Sequence, residues 1–171
     1  MSKAEPGKPP TPLNCAVLTI SDTRTEHTDT SGDYLSASLQ AAGHRCVRRQ
    51  ISSGNMYQLR KVVSDWIADD EVQVILANGG TGFSHQKSTV AAITPLLDKA
   101  VAGFGEIFRH LSFQEIGSSA LQSDAFAGMA NDTLVFCMPG STGACKTAWE
   151  GIIKEQLDST HRPCNFATHY L

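Results

Sequence analysis

Three short, almost continuous runs of apolar residues constrain the fold of this chain most. They are residues 15–20, 72–77 and 134–138. A strand with one face in water alternates polar and apolar residues, whereas an unbroken apolar run is typical of a strand that helices cover on both faces. The sequence therefore predicts three buried strands, and a weaker pattern over residues 44–51 predicts a fourth.

Helical patterns lie between these runs. Apolar residues recur every three or four positions over residues 55–68, which predicts an amphipathic helix with Asn55 as its N-cap. A second helix is predicted over residues 31–42, because Gly43 suits the left-handed conformation that ends many helices.

The second half of the chain continues this order. Apolar spacing predicts helices over residues 104–111 and 144–157, whereas residues 112–130 carry mixed signals that do not favour a single element. Strands that alternate with helices of this length predict an α/β fold with a mainly parallel sheet and helices on both faces.

Length and composition favour one domain. The chain has 171 residues, of which 41% are hydrophobic, enough to form a core without disulfides or structural metal. Four prolines in the first twelve residues predict a flexible tail over residues 1–12, followed by a single domain over residues 13–171.

Charge and cysteine usage exclude several classes of protein. Fourteen Lys and Arg against 17 Asp and Glu give a net charge of −3, which argues against nucleic acid or anionic membranes as partners. No apolar segment approaches a membrane span. Five cysteines without a C-x-x-C pair predict reduced, buried thiols of a cytosolic protein, with Cys145 in a packing role. The six histidines lack metal-ligand spacing, so no metal site is predicted.

Three loops follow the predicted buried strands and combine glycine with hydroxyl side chains. They are residues 21–32, which include Asp22 and Asp29, residues 78–84 and residues 139–143. The carboxyl ends of parallel strands meet at one edge of a sheet, and ligands bind there. We expect a phosphate-bearing or polar ring ligand at this edge. Each loop taken alone is also compatible with a simple turn or helix cap, including Asp22 and Asp29 as capping residues.

The same loops resemble the MoaB branch of the MoaB/Mog family of molybdenum cofactor biosynthesis proteins. The resemblance extends over residues 14–166. It rests on residues 18–22, 29–32, 79–82, 103–109, 111–117, 138–141 and 162–166.

The resemblance implies a three-layer α/β/α sandwich that binds molybdopterin as a ligand, has no tightly bound cofactor, and assembles as a trimer or hexamer. Active relatives transfer AMP from MgATP to the molybdopterin phosphate, with other cofactor biosynthesis proteins as possible partners. If AMP transfer is retained, Asp22 and Asp29 are the candidate catalytic residues. The residues expected to bind molybdopterin are Ser21, Gly79, Gly80, Thr81, Gly82, Ser123, Pro139, Gly140 and Ser141.

Three positions depart from the pattern of active adenylyltransferases. An acidic residue expected near Gly54 is absent, a second expected aspartate is Lys87, and Asp124 stands where the family has an arginine. A lysine in place of a carboxylate removes an oxygen ligand for Mg²⁺. We therefore expect molybdopterin binding without adenylyl transfer. The alternatives are an active MgATP-dependent molybdopterin adenylyltransferase and a non-catalytic oligomeric scaffold.

The chain end suggests how subunits meet. Residues 162–171 carry more apolar side chains than a free terminus usually does. We expect this segment to dock on a neighbouring subunit.

Overall fold

The computed structural model describes residues 7–84 and 87–171. Residues 1–6 of the predicted tail, and His85 among the histidines, lie outside the described residues. The strands are β1 (Asn14–Ile20), β2 (Arg45–Ser52), β3 (Val74–Asn78), β4 (Lys99–Ala100), β5 (Phe126–Ala130) and β6 (Thr133–Met138). The α-helices are α1 (Thr30–Ala41), α2 (Met56–Ile67), α3 (Thr89–Ile93), α4 (Ala102–Ile116), α5 (Thr142–Ala148) and α6 (Lys154–Gln156).

All six strands form one sheet in the order β2-β1-β3-β6-β5-β4. Strands β2, β1, β3 and β6 pair in parallel, and β5 runs antiparallel to both of its neighbours. The predicted mainly parallel sheet is confirmed. The two strands that the sequence did not predict, β4 and β5, lie at its edge.

The sheet lies between two separate hydrophobic clusters. In β1, Cys15 and Val17 belong to one cluster, with α1, α4 and α5, whereas Ala16 and Leu18 belong to the other, with α2 and α3. Both faces of the strand are therefore buried, which explains its continuous apolar run. The three-layer α/β/α architecture is confirmed.

Most predicted helices are present, with shifted ends. Asn55 caps α2 as predicted, because its side chain accepts from the amides of Tyr57 and Gln58. Helix α4 extends to Ile116 and continues into a 3-10 helix over Gly117–Gln122, within the segment that the sequence left unassigned. The last helix contains a π-helical stretch, Trp149–Ile153, between α5 and α6. The short helix α3 was not predicted.

A two-residue turn explains why β5 was missed. Strands β5 and β6 form a hairpin closed by Asn131 and Asp132, whose φ angles are 46° and 61°. Such turns are usually recognised by a glycine, which this one lacks.

The C-terminal segment packs in part on its own domain, and docking of residues 162–171 on a neighbouring subunit stays a prediction. Phe166 packs edge-on against Phe136 with ring centroids 6.4 Å apart, and Ala167 is fully buried. The Tyr170 hydroxyl donates to the Gln73 and Asp132 carbonyl oxygens. Phe166, Ala167 and Tyr170 therefore pack on the core of the same chain, whereas Leu171 is exposed.

At the other end, the Thr11 amide donates to Ser159 Oγ at 2.9 Å, so the chain is already tied to the domain one residue before the predicted tail ends.

The prediction that all five cysteines are buried is wrong for Cys164, which is exposed, and Cys46, which is half-buried. Within the described residues, no helix is long and apolar enough to cross a membrane.

Candidate functional site

A pocket of about 590 Å³ lies at the carboxyl ends of β1, β3 and β6, which are neighbours in the sheet. All nine residues that the resemblance assigns to molybdopterin binding line it. They are Ser21, Gly79, Gly80, Thr81, Gly82, Ser123, Pro139, Gly140 and Ser141. The structure thus brings these residues together, while their role in binding stays a prediction.

Backbone contacts between two loops form the floor of the pocket. Gly79 has a φ of +102°, and a Cβ there would collide with the Ile20 carbonyl oxygen. A Cβ on Gly140 would lie 3.0 Å from the Gly79 Cα. Glycine is required at Gly79 because its φ is positive and the end of β1 lies against it, and Gly140 leaves little room for a side chain beside the backbone of Gly79.

Hydroxyl groups fix the loops around the pocket through hydrogen bonds. Ser31 Oγ donates to the Gly140 carbonyl at 2.8 Å, and Thr89 Oγ1 donates to the Gly79 carbonyl at 2.8 Å. Ser141 Oγ accepts from the Ala144 amide at 3.1 Å and so caps α5. Ser141 therefore caps a helix, which the sequence analysis gave as an alternative role for this loop, and it also lines the pocket.

The second wall comes from the segment that the sequence left unassigned. Phe108, Ser112 and Ile116 of α4 line the pocket, followed by Ser119 and Gln122 of the 3-10 helix. Phe108, Ser112 and Ile116 are four positions apart and so share one face of α4. Ser119 and Gln122 follow after the chain turns at Gly117, whose φ is +62°. In the sequence, the continuation of the four-residue spacing beyond residue 111 was the signal that the helical segment extends past the predicted end.

Two cations, Arg24 and Lys87, line the pocket. Arg24 donates to the Thr28 carbonyl and to Thr30 Oγ1, which fixes its side chain at the rim. The residues of the described chain that line the pocket include no Asp or Glu. The electrostatics therefore favour an anion over a metal cation. Arg24 was missed as a site residue, although it is the one cation in the loop after β1.

Asp22 lies in the same region but does not line the pocket. It is exposed, and its Oδ1 accepts a hydrogen bond from the Gly54 amide at 3.0 Å. Ser88 Oγ in turn donates to the Gly54 carbonyl. The loops after β1, β2 and β3 thus meet at Gly54, the position where a family carboxylate was expected.

Asp29 is a structural residue. It is buried, its Oδ1 caps α1 through the Gly32 amide at 2.9 Å, and its Oδ2 accepts from Thr19 Oγ1 at 2.8 Å. Arg49 pairs with the same carboxylate at 3.2 Å. Both carboxylate oxygens are engaged by protein groups, and Asp29 itself does not line the pocket. The geometry therefore favours the capping interpretation of Asp29 over a catalytic one.

Two buried polar atoms of the pocket lining have no hydrogen-bond partner among the described residues. They are Oδ1 of Asn78, whose residue is 1% exposed, and Oγ of Ser123. A buried acceptor without a partner is costly, so a ligand or water is expected there. Asn78 was missed as a site residue. The signal was a polar residue closing the otherwise apolar strand β3.

The remaining candidate groups fit neither a metal site nor a nucleophile. Within residues 7–84 and 87–171, no cluster of three His, Cys, Asp or Glu side chains has a metal-binding arrangement. Burial raises the pKa of the Cys145 thiol to about 12, and its Sγ contacts the Pro139 carbonyl. A thiol of this kind stays protonated, as expected for a packing residue.

The sequence and the structure both match known proteins. The profile of a family described as "Probable molybdopterin binding domain" matches residues 16–159. Molybdenum cofactor biosynthesis protein B of Escherichia coli (strain K12) is 56% identical over 158 residues, covering 92% of this chain and 93% of the relative. The protein of the same name from Bacillus subtilis (strain 168) is 43% identical over 146 residues, covering 85% of this chain and 86% of the relative.

Two solved structures share the fold. A crystal structure of molybdenum cofactor biosynthesis protein B has a TM-score of 0.85 and 41% identity, covering 88% of this chain and 94% of that one. The tungsten cofactor synthesizing protein MoaB from Pyrococcus furiosus has a TM-score of 0.76 and 30% identity, covering 85% and 93%. The chain therefore belongs to the family described as "Probable molybdopterin binding domain", in its MoaB/Mog group.

Proposed function

We propose that this protein acts in molybdenum cofactor biosynthesis by binding molybdopterin in the pocket at the carboxyl edge of the sheet. The observation that carries the proposal is the pocket itself. It brings together the glycine and hydroxyl loops of the family with two cations, Arg24 and Lys87.

The lining suits both the ring system and the terminal phosphate of molybdopterin. Ile116, which is exposed, offers apolar surface for a flat ring, while Asn78 and Ser123 offer unpaired polar atoms. Arg24 and Lys87 supply positive charge for a terminal phosphate. Pockets of this kind, mostly apolar with a few placed polar groups, are typical of small-molecule sites.

Adenylyl transfer needs more than this pocket offers. The reaction uses Mg²⁺, which binds oxygen ligands such as carboxylates. Lys87 occupies one expected carboxylate position and repels a metal cation, and Gly54 offers no side chain at the other. We therefore propose binding without AMP transfer.

An active MgATP-dependent adenylyltransferase is the second candidate. Asp22 favours it, because this carboxylate is exposed next to Gly54, at the edge of the site. In that case Asp22 would supply an oxygen ligand for Mg²⁺ from a different loop.

Calorimetric titration with molybdopterin, followed by pyrophosphate detection after addition of MgATP, separates the candidates. Binding with pyrophosphate release at the background rate is the expected result. Release above background supports the adenylyltransferase instead. Absence of binding supports a non-catalytic oligomeric scaffold and contradicts the proposal.

A further inference from the structure

A chain of hydrogen bonds runs from the edge of the sheet to the floor of the pocket. Arg49 pairs with Asp29, Asp29 Oδ2 accepts from Thr19 Oγ1 at 2.8 Å, and Thr19 Oγ1 accepts from Asn78 Nδ2 at 3.1 Å. Thr19, Asp29 and Asn78 are each at most 2% exposed. Solvent therefore does not compete for these bonds.

This series of hydrogen bonds fixes the orientation of the Asn78 amide. A carboxylate in an ion pair only accepts hydrogen bonds, so the single Thr19 hydroxyl proton is directed to Asp29. Toward Asn78, the Thr19 oxygen can then only accept. The amide nitrogen of Asn78 must face Thr19, and it also donates to the Leu18 carbonyl, another obligate acceptor, at 3.3 Å.

Both amide protons of Asn78 are thus used, and Oδ1 is the group left over. It belongs to a residue that lines the pocket, and it has no hydrogen-bond partner among residues 7–84 and 87–171. Because the amide cannot turn over without breaking two bonds, this atom is an acceptor that only a donor from outside the described residues can satisfy.

We propose that Asn78 Oδ1 is a specificity determinant that accepts a hydrogen bond from the exocyclic amino group of the bound pterin, an inference that rests on the proposed function. Asn78 lies on the buried floor, whereas Lys87 is exposed at the rim. A ligand whose phosphate faces Lys87 places the far end of its ring system, which carries the amino group, at the floor. Thr19 and Asp29 are positioning residues, because they hold the amide in the accepting orientation.

A pair of probes tests this directly. They are the monophosphate esters of 6-hydroxymethylpterin and of 6-hydroxymethyllumazine, in which a carbonyl oxygen replaces the amino group. Wild type should bind the pterin ester at least about tenfold more tightly, because the lumazine oxygen would face another acceptor. Asn78→Leu, which has a similar volume and no acceptor, should bind both esters equally.

Variants of Thr19 test the positioning role without touching the ligand-binding atom. Thr19→Val frees the Asn78 amide to turn over, so the preference for the pterin ester should fall. Thr19→Ser keeps the hydroxyl and should restore it. A structural role alone would alter stability in these variants but leave the ratio of the two affinities unchanged.

Equal binding of the two esters to wild type overturns this inference while leaving the proposed function intact. Retention of the preference in Asn78→Leu overturns it as well. Failure of wild type to bind either ester or molybdopterin overturns the proposed function together with it.

Discussion

Gly79 and Gly140 meet backbone to backbone, with the Gly79 Cα lying 3.0 Å from where a Cβ on Gly140 would stand. The Gly79 amide also donates to the Met138 carbonyl at 3.0 Å. This contact joins the loops after β3 and β6 into one surface. Two glycines that are distant in the sequence therefore lie side by side in the pocket lining.

Gly79→Ala should lower the free energy of unfolding by about 2 kcal/mol or more, because its φ is positive and the new methyl group collides with the Ile20 carbonyl. Gly103→Ala is the matched control. It lies in α4 with nothing within 4 Å of its Cβ position, and alanine there should raise stability by about 0.5–1 kcal/mol. Urea denaturation measures both, and equal effects of the two substitutions would contradict the close contact at Gly79.

Restoring the expected carboxylates should increase AMP transfer. Gly54 and Lys87 lie on adjoining loops, since Ser88 Oγ donates to the Gly54 carbonyl. Loss of an electrostatic element of this kind commonly costs about 10²-fold in rate. We expect pyrophosphate release from wild type near background and a higher rate in the Gly54→Asp, Lys87→Asp double variant.

The neutral double variant Gly54→Asn, Lys87→Asn serves as the control for that experiment. This variant changes the size of the two side chains without adding a carboxylate that could bind Mg²⁺, so its rate of pyrophosphate release should stay near background. Turnover by wild type at a rate that the acidic variant does not raise would mean that the metal carboxylates lie elsewhere.

The sequence predicted the parts of the fold whose patterns are local. The unbroken apolar runs identified β1, β3 and β6, and the loops after them supplied eight of the nine predicted residues of the pocket lining, whereas Ser123 follows the 3-10 helix. The second wall was missed because α4 and the following 3-10 helix have a mixed pattern, with Phe113 and Ile116 exposed.

The interpretation of carboxylates needed the structure. The sequence alone does not distinguish Asp29 from Asp22, because both are aspartates in the loop after β1. Only the fold shows that Asp29 is buried against Thr19 and Arg49 whereas Asp22 is exposed beside Gly54. Asn78 was missed for a related reason, since the orientation of its amide depends on residues far away in the chain.

Acid should destabilise the protein through His44. Burial lowers the pKa of His44 below its ordinary value of 6.5, and nearby Asp158 opposes this only in part. The Leu13 amide donates to His44 Nδ1 at 3.1 Å, a bond that requires the unprotonated ring nitrogen. The unfolded chain therefore binds this proton more readily, so stability is retained above pH 6.5 and falls as the pH drops below it.

One such group contributes at most about 1.4 kcal/mol per pH unit. Urea titrations of wild type and His44→Gln between about pH 7.5 and about pH 5 should show a steeper decline for wild type. Parallel curves for the two proteins would contradict the assignment of the pH dependence to His44.

The exposed apolar side chains of α4 should form a subunit contact. Ile107 and Phe113 are 51% and 60% exposed, more apolar surface than an isolated helix face usually presents to water. We expect wild type to be a trimer or hexamer, and the Ile107→Asp, Phe113→Asp double variant to have a lower mass in light scattering.

Tyr57→Asp is the control for this prediction. Tyr57 is 69% exposed on α2, in the opposite layer of the sandwich, and its replacement should leave the mass unchanged. A monomeric wild type, or an unchanged mass of the α4 variant, would show that these side chains do not form an interface.

We propose that the pocket binds the phosphate of molybdopterin with the side-chain cations Arg24 and Lys87 and without a metal ion. The most direct test is the dissociation constant of molybdopterin in EDTA, for wild type, for Lys87→Ala and for the control Lys61→Ala, whose lysine pairs with Asp65 on α2. We expect wild type and the control to bind equally well with EDTA or with Mg²⁺, and Lys87→Ala to bind about tenfold or more weakly. Binding that disappears in EDTA, or that does not change in Lys87→Ala, would contradict the account.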